Sequence, residues 1–380
     1  MVAAPGNAPI TVELDSYPAG SGTVPTEVLL AAMLRASDQV SDLIFSPGRA
    51  PQIEVLGQLL AVKIPGLATM SADDTRRLAA DLIGSNEQAI TLLREQGSCD
   101  ISYGLPGLAR FRVNVFIQRG SCAIVMRVIP TVIPTSAALG MPEKLREIAD
   151  LRDGIVLVTG PRGSGKSSTL AALLDEINRQ QTCHIITIED PIEFLHNHKH
   201  ATVHQRELHS DTPNFSLALR AALRQAPRVI LVGEMRDRET TEMVMEAAET
   251  GHLVLSSLNT VDAAKTVEKM VSSFRPDEQA SMRSRLAKTL RYVVAQRLLP
   301  RSDGSGRVAA FEILKVNARA HHCMERANLV GASLLQLMKE GAAEGMQHFD
   351  GEIRKLIAAG VVDPATALGY ATEPKELLEQ

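Results

Sequence analysis

The stretch GPRGSGKSST, Gly160 to Thr169, constrains this chain more than any other. It holds the spacing G-x-x-x-x-G-K-S, with Gly160, Gly165, Lys166 and Ser167 at the fixed positions. The apolar run IVLVT precedes it and the helical pattern SSTLAALLDEINRQ overlaps and follows its end. A strand before and a helix after are what separate a phosphate-binding loop from a chance match. Glycines let successive amides turn inward toward phosphate oxygens, the lysine reaches the β- and γ-phosphates, and the serine hydroxyl ligates magnesium. The expected nucleotide set is Gly160, Gly163, Ser164, Gly165, Lys166, Ser167 and Ser168, with ATP and Mg2+ as cofactors and Ser167 as the magnesium ligand.

Such a loop needs a parallel sheet around it. The short apolar runs GIVLVTG, HIITIED, RVILVGE and HLVLSSL alternate with helical segments such as TTEMVMEAAETG. That alternation predicts a parallel sheet with helices on both faces. Upstream, VPTEVLLAAMLRASDQVSDLIFS shows helical spacing and PQIEVLGQLLAVKI reads as two strands around Gly57. SADDTRRLAADLIG starts with a serine cap and stops near Gly84, as a helix does. The segment from Cys99 to Pro130 alternates as paired strands, which closes an α+β unit. PTVIPTSAALGMP carries three prolines that fix φ and remove amide donors, so it reads as a linker. From about Val316 the pattern is mainly helical.

Charge and cysteines narrow the functional classes. A net charge of −4 over 380 residues gives no global basic field for sequence-independent nucleic-acid binding. Cys99, Cys122, Cys183 and Cys323 form no CxxC pair, which speaks against a zinc knuckle or a disulfide framework and fits a reducing cytosol. No apolar run is long enough to span a bilayer, and the N-terminal stretch lacks the charged start and apolar core of a signal peptide. It reads as a flexible leader over residues 1–22.

Hydrolysis needs a polarised water as well as a phosphate site. Glu189, Asp190 and Glu193 follow one strand, and Glu234 ends another. Carboxylates at the C-terminal edge of a parallel sheet face the crevice where ligands bind, so they can orient water or hold a metal's outer shell. The competing reading is that they cap helices or pair with Arg236 or Arg238, and Asp190 before Pro191 also suits a turn. The Asn259-Thr260 pair in SSLNTVDA ends a further strand, either facing a bound group or closing a turn. HNHKH, His196 to His200, reads as a solvated basic turn. MRSRLAKTLRYVVAQRLLP reads as a helix with a packing face.

Taken in order, SDLIFSPGRAPQIEVLG, GLARFRVNVFIQRG, GPRGSGKSS, TIEDPIEF, ILVGEMRD, TGHLVLSSLNT and GMQHFD resemble the motifs of the PilT/PilU-type pilus retraction ATPases of the type II/IV secretion ATPase superfamily, over nearly the whole chain. The resemblance implies an α/β architecture: a PAS-like α+β N-terminal domain (23–130), a linker (131–141), a RecA-like P-loop ATPase domain (142–315) and a helical C-terminal segment (316–380). It implies that Glu193 is the general base, that Glu234 is the Walker B acid acting on magnesium through water, and that Arg112 and Arg127 are brought to the γ-phosphate on ring assembly, with Arg110 a weaker candidate. Without it, those arginines would read as ordinary solvated charges. His252 matches the first histidine of the family's His box and is implied to be catalytic, while Asn259 stands where the second, γ-phosphate-facing histidine belongs and is implied to bind the nucleotide. Asparagine can still donate to phosphate but cannot become cationic. Preserved sensing, weakened coupling and a purely structural role compete at that position. The family's C-terminal AIRNL signature is not recognisable in NARAHHCMERAN, which points toward a PilU-like or accessory motor. The implied assembly is a homo-hexamer that hydrolyses ATP in the cytoplasm, works on an inner-membrane pilus platform protein, alongside a second retraction ATPase, and binds no nucleic acid. An extension or secretion motor and a non-catalytic ring subunit are the rivals.

Overall fold

Alternation of buried and exposed side chains builds the first of two units, Met1–Thr131, which the computed structural model separates from Val132–Gln380. Residues 10–12, 24–130, 132–326 and 330–378 are described. The first unit runs β1 (Ile10–Thr11), α1 (Thr26–Arg35), β2 (Val40–Phe45), β3 (Gln52–Val55), β4 (Gln58–Lys63), α2 (Ala72–Ile83), α3 (Glu87–Gln96), β5 (Ser98–Leu105), β6 (Ala109–Gln118) and β7 (Ser121–Ile129). Its sheet has the order β1-β4-β3-β2-β7-β6-β5. Ser71 starts α2 with a reciprocal capping box to Asp74, which satisfies two end amides. Leu56 and Gly57 both have positive φ, the geometry of a tight hairpin turn.

Two expectations change here. The helical pattern read over residues 24–46 stops at Arg35, and Val40–Phe45 is a strand. Leu43 and Phe45 alternate into the core, and buried Asp42 holds Arg127 at 2.9 Å, so sheet pairing overrides local helical spacing. Ile10–Thr11, expected in a flexible leader, pairs in parallel with Val62–Lys63, with Val12 buried behind it. The rest of that leader, 1–9 and 13–22, lies outside the described residues.

The second unit runs β8 (Gly154–Thr159), α4 (Lys166–Gln180), β9 (His184–Glu189), β10 (Thr202–Glu207), α5 (Phe215–Ala222), β11 (Val229–Val232), α6 (Arg238–Glu249), β12 (Leu253–Leu258), α7 (Ala263–Ser272), α8 (Gln279–Thr289), β13 (Leu290–Pro300) and β14 (Arg307–Lys315). Helices α9 (Ala318–Glu325), α10 (Val330–Glu340), α11 (Phe349–Ala358), α12 (Pro364–Leu368) and α13 (Pro374–Leu378) follow. The sheet order is β10-β9-β11-β12-β8-β13-β14, parallel except for the β13–β14 pair. Both faces are covered, which is why the central strands β8, β11 and β12 are buried at every position. Ile155 and Leu157 of β8 face α6, α7 and α8, while Val156 and Val158 face α4. Each such side chain contributes roughly 1.5–3 kcal/mol on burial.

Leu290–Pro300 is a strand, where helical spacing had been read, and only Gln279–Thr289 is helical. Tyr292, Val293 and Val294 suit a pleated surface, and pairing with β8 on one side and β14 on the other satisfies the backbone. The HNHKH turn is exposed from Asn197 to His200, as a solvated turn should be, but it is anchored by several bonds. His196 is half-buried, and burial pushes its imidazole down to about 4. His198 Nδ1 accepts the Val203 amide at 3.1 Å, and Lys199 binds Asp175 at 2.5 Å. Among the described residues no cluster of three or more His, Cys, Asp or Glu side chains could hold a metal ion, and no helix is long and apolar enough to cross a membrane.

Candidate active site

The loop between β8 and α4 is shaped by what its glycines permit. Gly160 has φ 147°, and a Cβ there would sit 2.5 Å from the Gln296 carbonyl oxygen and from Ser164 Oγ. Gly165, at φ 89°, turns the chain into α4 with its position backed by the Gln296 amide. Gln296 on β13 is thus the floor of the loop, and its Oε1 accepts from Thr169 Oγ1 at 2.8 Å in a buried bond. Ser164 Oγ is buried without a partner among the described residues. An unsatisfied buried hydroxyl inside a glycine cradle at a helix N-terminus fits an incoming phosphate oxygen.

Lys166 Nζ donates to the carbonyl oxygens of Gly160 at 2.9 Å and Pro161 at 3.0 Å. Burial lowers its pKa, the Glu193 carboxylate opposes that shift, and Arg162 adds to it. Lys166 and Glu193, distant in sequence, therefore share one electrostatic environment. Beside the loop lies a cavity of about 450 Å³ lined by Pro161, Arg162, Ser164, Arg297, Arg307 and Tyr370.

Strand order sets the acids along the same edge. β12 lies between β8 and β11, and β9 follows, so the residues after all four strands emerge on the P-loop side. Glu193 is exposed on the loop after β9. Glu234 is paired with Arg236, which also reaches Asp190 at 3.1 Å. The pairing weighed from sequence thus holds for Glu234 and Asp190, whereas Arg238 is taken by Glu278 at 2.8 Å. A pair with a half-exposed arginine is weak, so it leaves Glu234 available at the edge. Burial pushes the Glu189 carboxyl up to about 7, against hydrogen bonds from Thr187, Gln205 and the Glu193 amide.

Asn259 is exposed immediately after β12, where Leu258 pairs with Thr159 and its carbonyl accepts the Gly160 amide at 3.3 Å. The neighbouring Thr260 hydroxyl is bonded locally to Thr266 at 2.7 Å. The catalytic role implied for His252 does not fit its place in the chain. This residue precedes β12, at the opposite edge, with Nδ1 on the Ala247 carbonyl at 2.9 Å. The six residues of β12 span roughly 20 Å, too far for any contact with a phosphate at the loop. In the first unit, Arg112 and Arg127 are direct partners across β6 and β7, both exposed, with Arg110 two residues away on the same face of β6.

Sequence reading passed over Gln296, Gln205 and Glu207. Gln296 was hidden by the helical reading of β13. The alternation in TVHQRE, which puts Gln205 and Glu207 on one side of β10, was the available signal for the other two.

The chain is similar to known proteins over most of its length. The family model described as type II/IV secretion system protein matches residues 101–351. The chain is 42% identical over 340 residues to the type IV pilus retraction ATPase PilT of Pseudomonas aeruginosa, covering 90% of this chain and 96% of that protein. It is 37% identical over 338 residues to the type IV pilus ATPase PilU of the same organism, covering 89% of this chain and 86% of PilU. A crystal structure of the pilus retraction motor PilT with bound ADP superimposes with a TM-score of 0.80 at 38% identity, covering 93% of this chain and 99% of that one. The Legionella pneumophila ATPase DotB gives 0.78 at 28% identity, with 93% and 97% covered. With its phosphate loop, acid-ended strands and a match to PilT over 90% of its length, the chain belongs to the type II/IV secretion system protein family, among its PilT/PilU-type pilus retraction ATPases.

Proposed function

We propose that this chain is a ring-forming motor that hydrolyses Mg-ATP to drive type IV pilus retraction. The observation that carries the reading is the gathering of Lys166, Glu193, Glu234 and Asn259 on one edge of a single parallel sheet, with Glu193 acting electrostatically on Lys166. Lys166 and the loop amides hold the β- and γ-phosphates, and Glu193 takes the proton of the attacking water. The Ser167 hydroxyl and, through water, the Glu234 carboxylate form an oxygen-only donor set that suits Mg2+, which would neutralise phosphate charge. Asn259 donates a neutral hydrogen bond toward the γ-phosphate. Arg112 and Arg127 supply positive charge to the γ-phosphate in the assembled ring, which ties turnover to rigid-body motion. A closed ring follows from arginines delivered through a heterologous interface, and the likeness to PilT supports a homo-hexamer. The motor acts at the inner-membrane platform of the pilus.

Asn259 favours one second reading, an accessory ring that depends on a partner motor, because a neutral bond to phosphate is weaker than a charge-assisted one. Turnover of Mg-ATP by the purified oligomer, with Glu193→Gln as the blank and Asn259→His beside it, decides between them. Native turnover well above the blank supports the autonomous motor. Turnover at blank level that Asn259→His restores selects the accessory ring. A deletion strain with surplus, non-retracting pili supports retraction, and loss of pili indicates extension.

A further inference from the structure

Glu193 stands on a loop, and a base on a loop is only as well placed as its backbone. The segment after β9 passes Asp190 to Ala201 and returns as β10, which pairs with β9 in parallel so that Gln205 lies opposite Thr187 and Glu207 opposite Glu189. From β10 two side chains reach across. Gln205 Nε2 donates to Glu189 Oε1 at 3.0 Å and to the Phe194 carbonyl at 2.9 Å, while its Oε1 accepts the His196 amide at 2.8 Å. Glu207 Oε2 accepts the Ile192 amide at 3.0 Å. Glu189, partly exposed at the strand end, accepts from Thr187 Oγ1 at 2.6 Å and from the amide of Glu193 itself. Backbone groups at 192, 193, 194 and 196 are all held by side chains, on both sides of the residue whose carboxylate matters.

We propose that Gln205 and Glu189 are positioning residues for Glu193, a clamp that fixes the loop carrying the base. The inference deepens the proposed function and rests on Glu193 being that base. Gln205 is suited to the task because a carboxamide supplies two donors and an acceptor from one rigid group, and here two N–H bonds and one acceptor bond are made. Glutamate at that position would lose both donors and place a second carboxylate against Glu189. Ionised Glu189 accepts from all three of its donors, and burial holds its carboxyl at about 7 with Glu193 the nearby like charge, so the clamp loosens on acidification. Nucleotide binding, centred on the β8–α4 loop, does not depend on these bonds.

The test is kcat and KM for Mg-ATP in Gln205→Ala, Gln205→Glu and Glu189→Gln, each alone and combined with Glu193→Gln. Gln205→Ala and Gln205→Glu lower kcat about tenfold or more, since a base misplaced by ~1 Å loses on the order of 100-fold. KM changes by less than about twofold, because ground-state binding is untouched. In the Glu193→Gln background the clamp variants cause no further loss. Equal losses in both backgrounds, or a raised KM at unchanged kcat, overturn the inference. Glu189→Gln conserves shape and keeps the test standing where Gln205→Ala fails to fold. It removes the fall in kcat as pH drops through about 7, and a retained fall overturns the role of Glu189. Native turnover no higher than Glu193→Gln overturns the motor reading itself, and this inference with it.

Discussion

At one end of β12, His252 is bonded to the turn behind it, with its ring nitrogen on the Ala247 carbonyl and its backbone oxygen accepting the Gly154 amide. At the other end, Asn259 is exposed beside the phosphate loop. Both residues flank the same six-residue strand, and both belong to one motif in sequence. Direction along the strand separates their roles. In a parallel sheet the C-terminal edge collects loops that open toward a ligand, while the N-terminal edge is where helices return and close off their ends. Around His252 that edge is occupied by structural pairs: Arg285 with Glu249 at 2.6 Å and Arg291 with Asp153 at 2.6 Å.

The contrast is sharpened most by the residue with most at stake on the ligand edge. Lys166→Ala lowers kcat on the order of 100- to 1,000-fold, with the melting temperature little changed, as a steady-state assay beside thermal unfolding would register. Next comes stability on that same edge. Glu312 on β14 is buried, accepts the Ala263 amide at 2.9 Å, and desolvation pushes its carboxyl up to about 7. A raised carboxyl pKa means that the folded state binds the proton more tightly, so stability rises as pH falls from about 7 toward the ordinary glutamate range. The effect is at most ~3 kcal/mol, and denaturant unfolding of the native chain and Glu312→Gln across that range would show a slope in the first and a flatter line in the second.

Asn259→Ala lowers kcat by up to about tenfold, the size of one neutral hydrogen bond. Asn259→His adds a further pH dependence between about 5 and 8, where imidazole titrates, to that of the native chain, and a profile that superimposes on the native one would remove the residue from the phosphate. The smallest effect belongs to the far edge. His252→Ala leaves kcat within about twofold and lowers stability by about 1 kcal/mol. A large loss of kcat in that variant, without unfolding, would break the comparison.

The phosphate loop was legible because its chemistry is local: glycines, a lysine and a serine within ten residues, between elements that declare themselves. The apolar strands of the second unit were legible for a similar reason, since burial on both faces removes polar interruptions. His252 was misplaced because motif membership says nothing of which end of a strand a residue occupies. β13 was misread because it runs on without a break from the helix Gln279–Thr289, while its neighbours β8 and β14 lie more than a hundred residues upstream and a few residues downstream. Gln205 was passed over because the alternation in TVHQRE marks a strand but not the loop its side chain holds, which only the register of β10 against β9 supplies.

The strand β13 has a consequence of its own. Gln296 carries the floor of the phosphate loop, while the next residue, Arg297, lies over the Phe349 ring at 3.8 Å and donates to the Tyr370 carbonyl in the C-terminal helical region. Adjacent strand residues point to opposite faces, so the phosphate loop and the C-terminal helices are tied to a single peptide unit. A one-residue deletion ahead of Gln296 would exchange the two faces at a stroke and disconnect both attachments, even where the surrounding ladder re-forms. The reading frame of this strand, more than the identity of any one side chain on it, is what keeps fuel and output in phase.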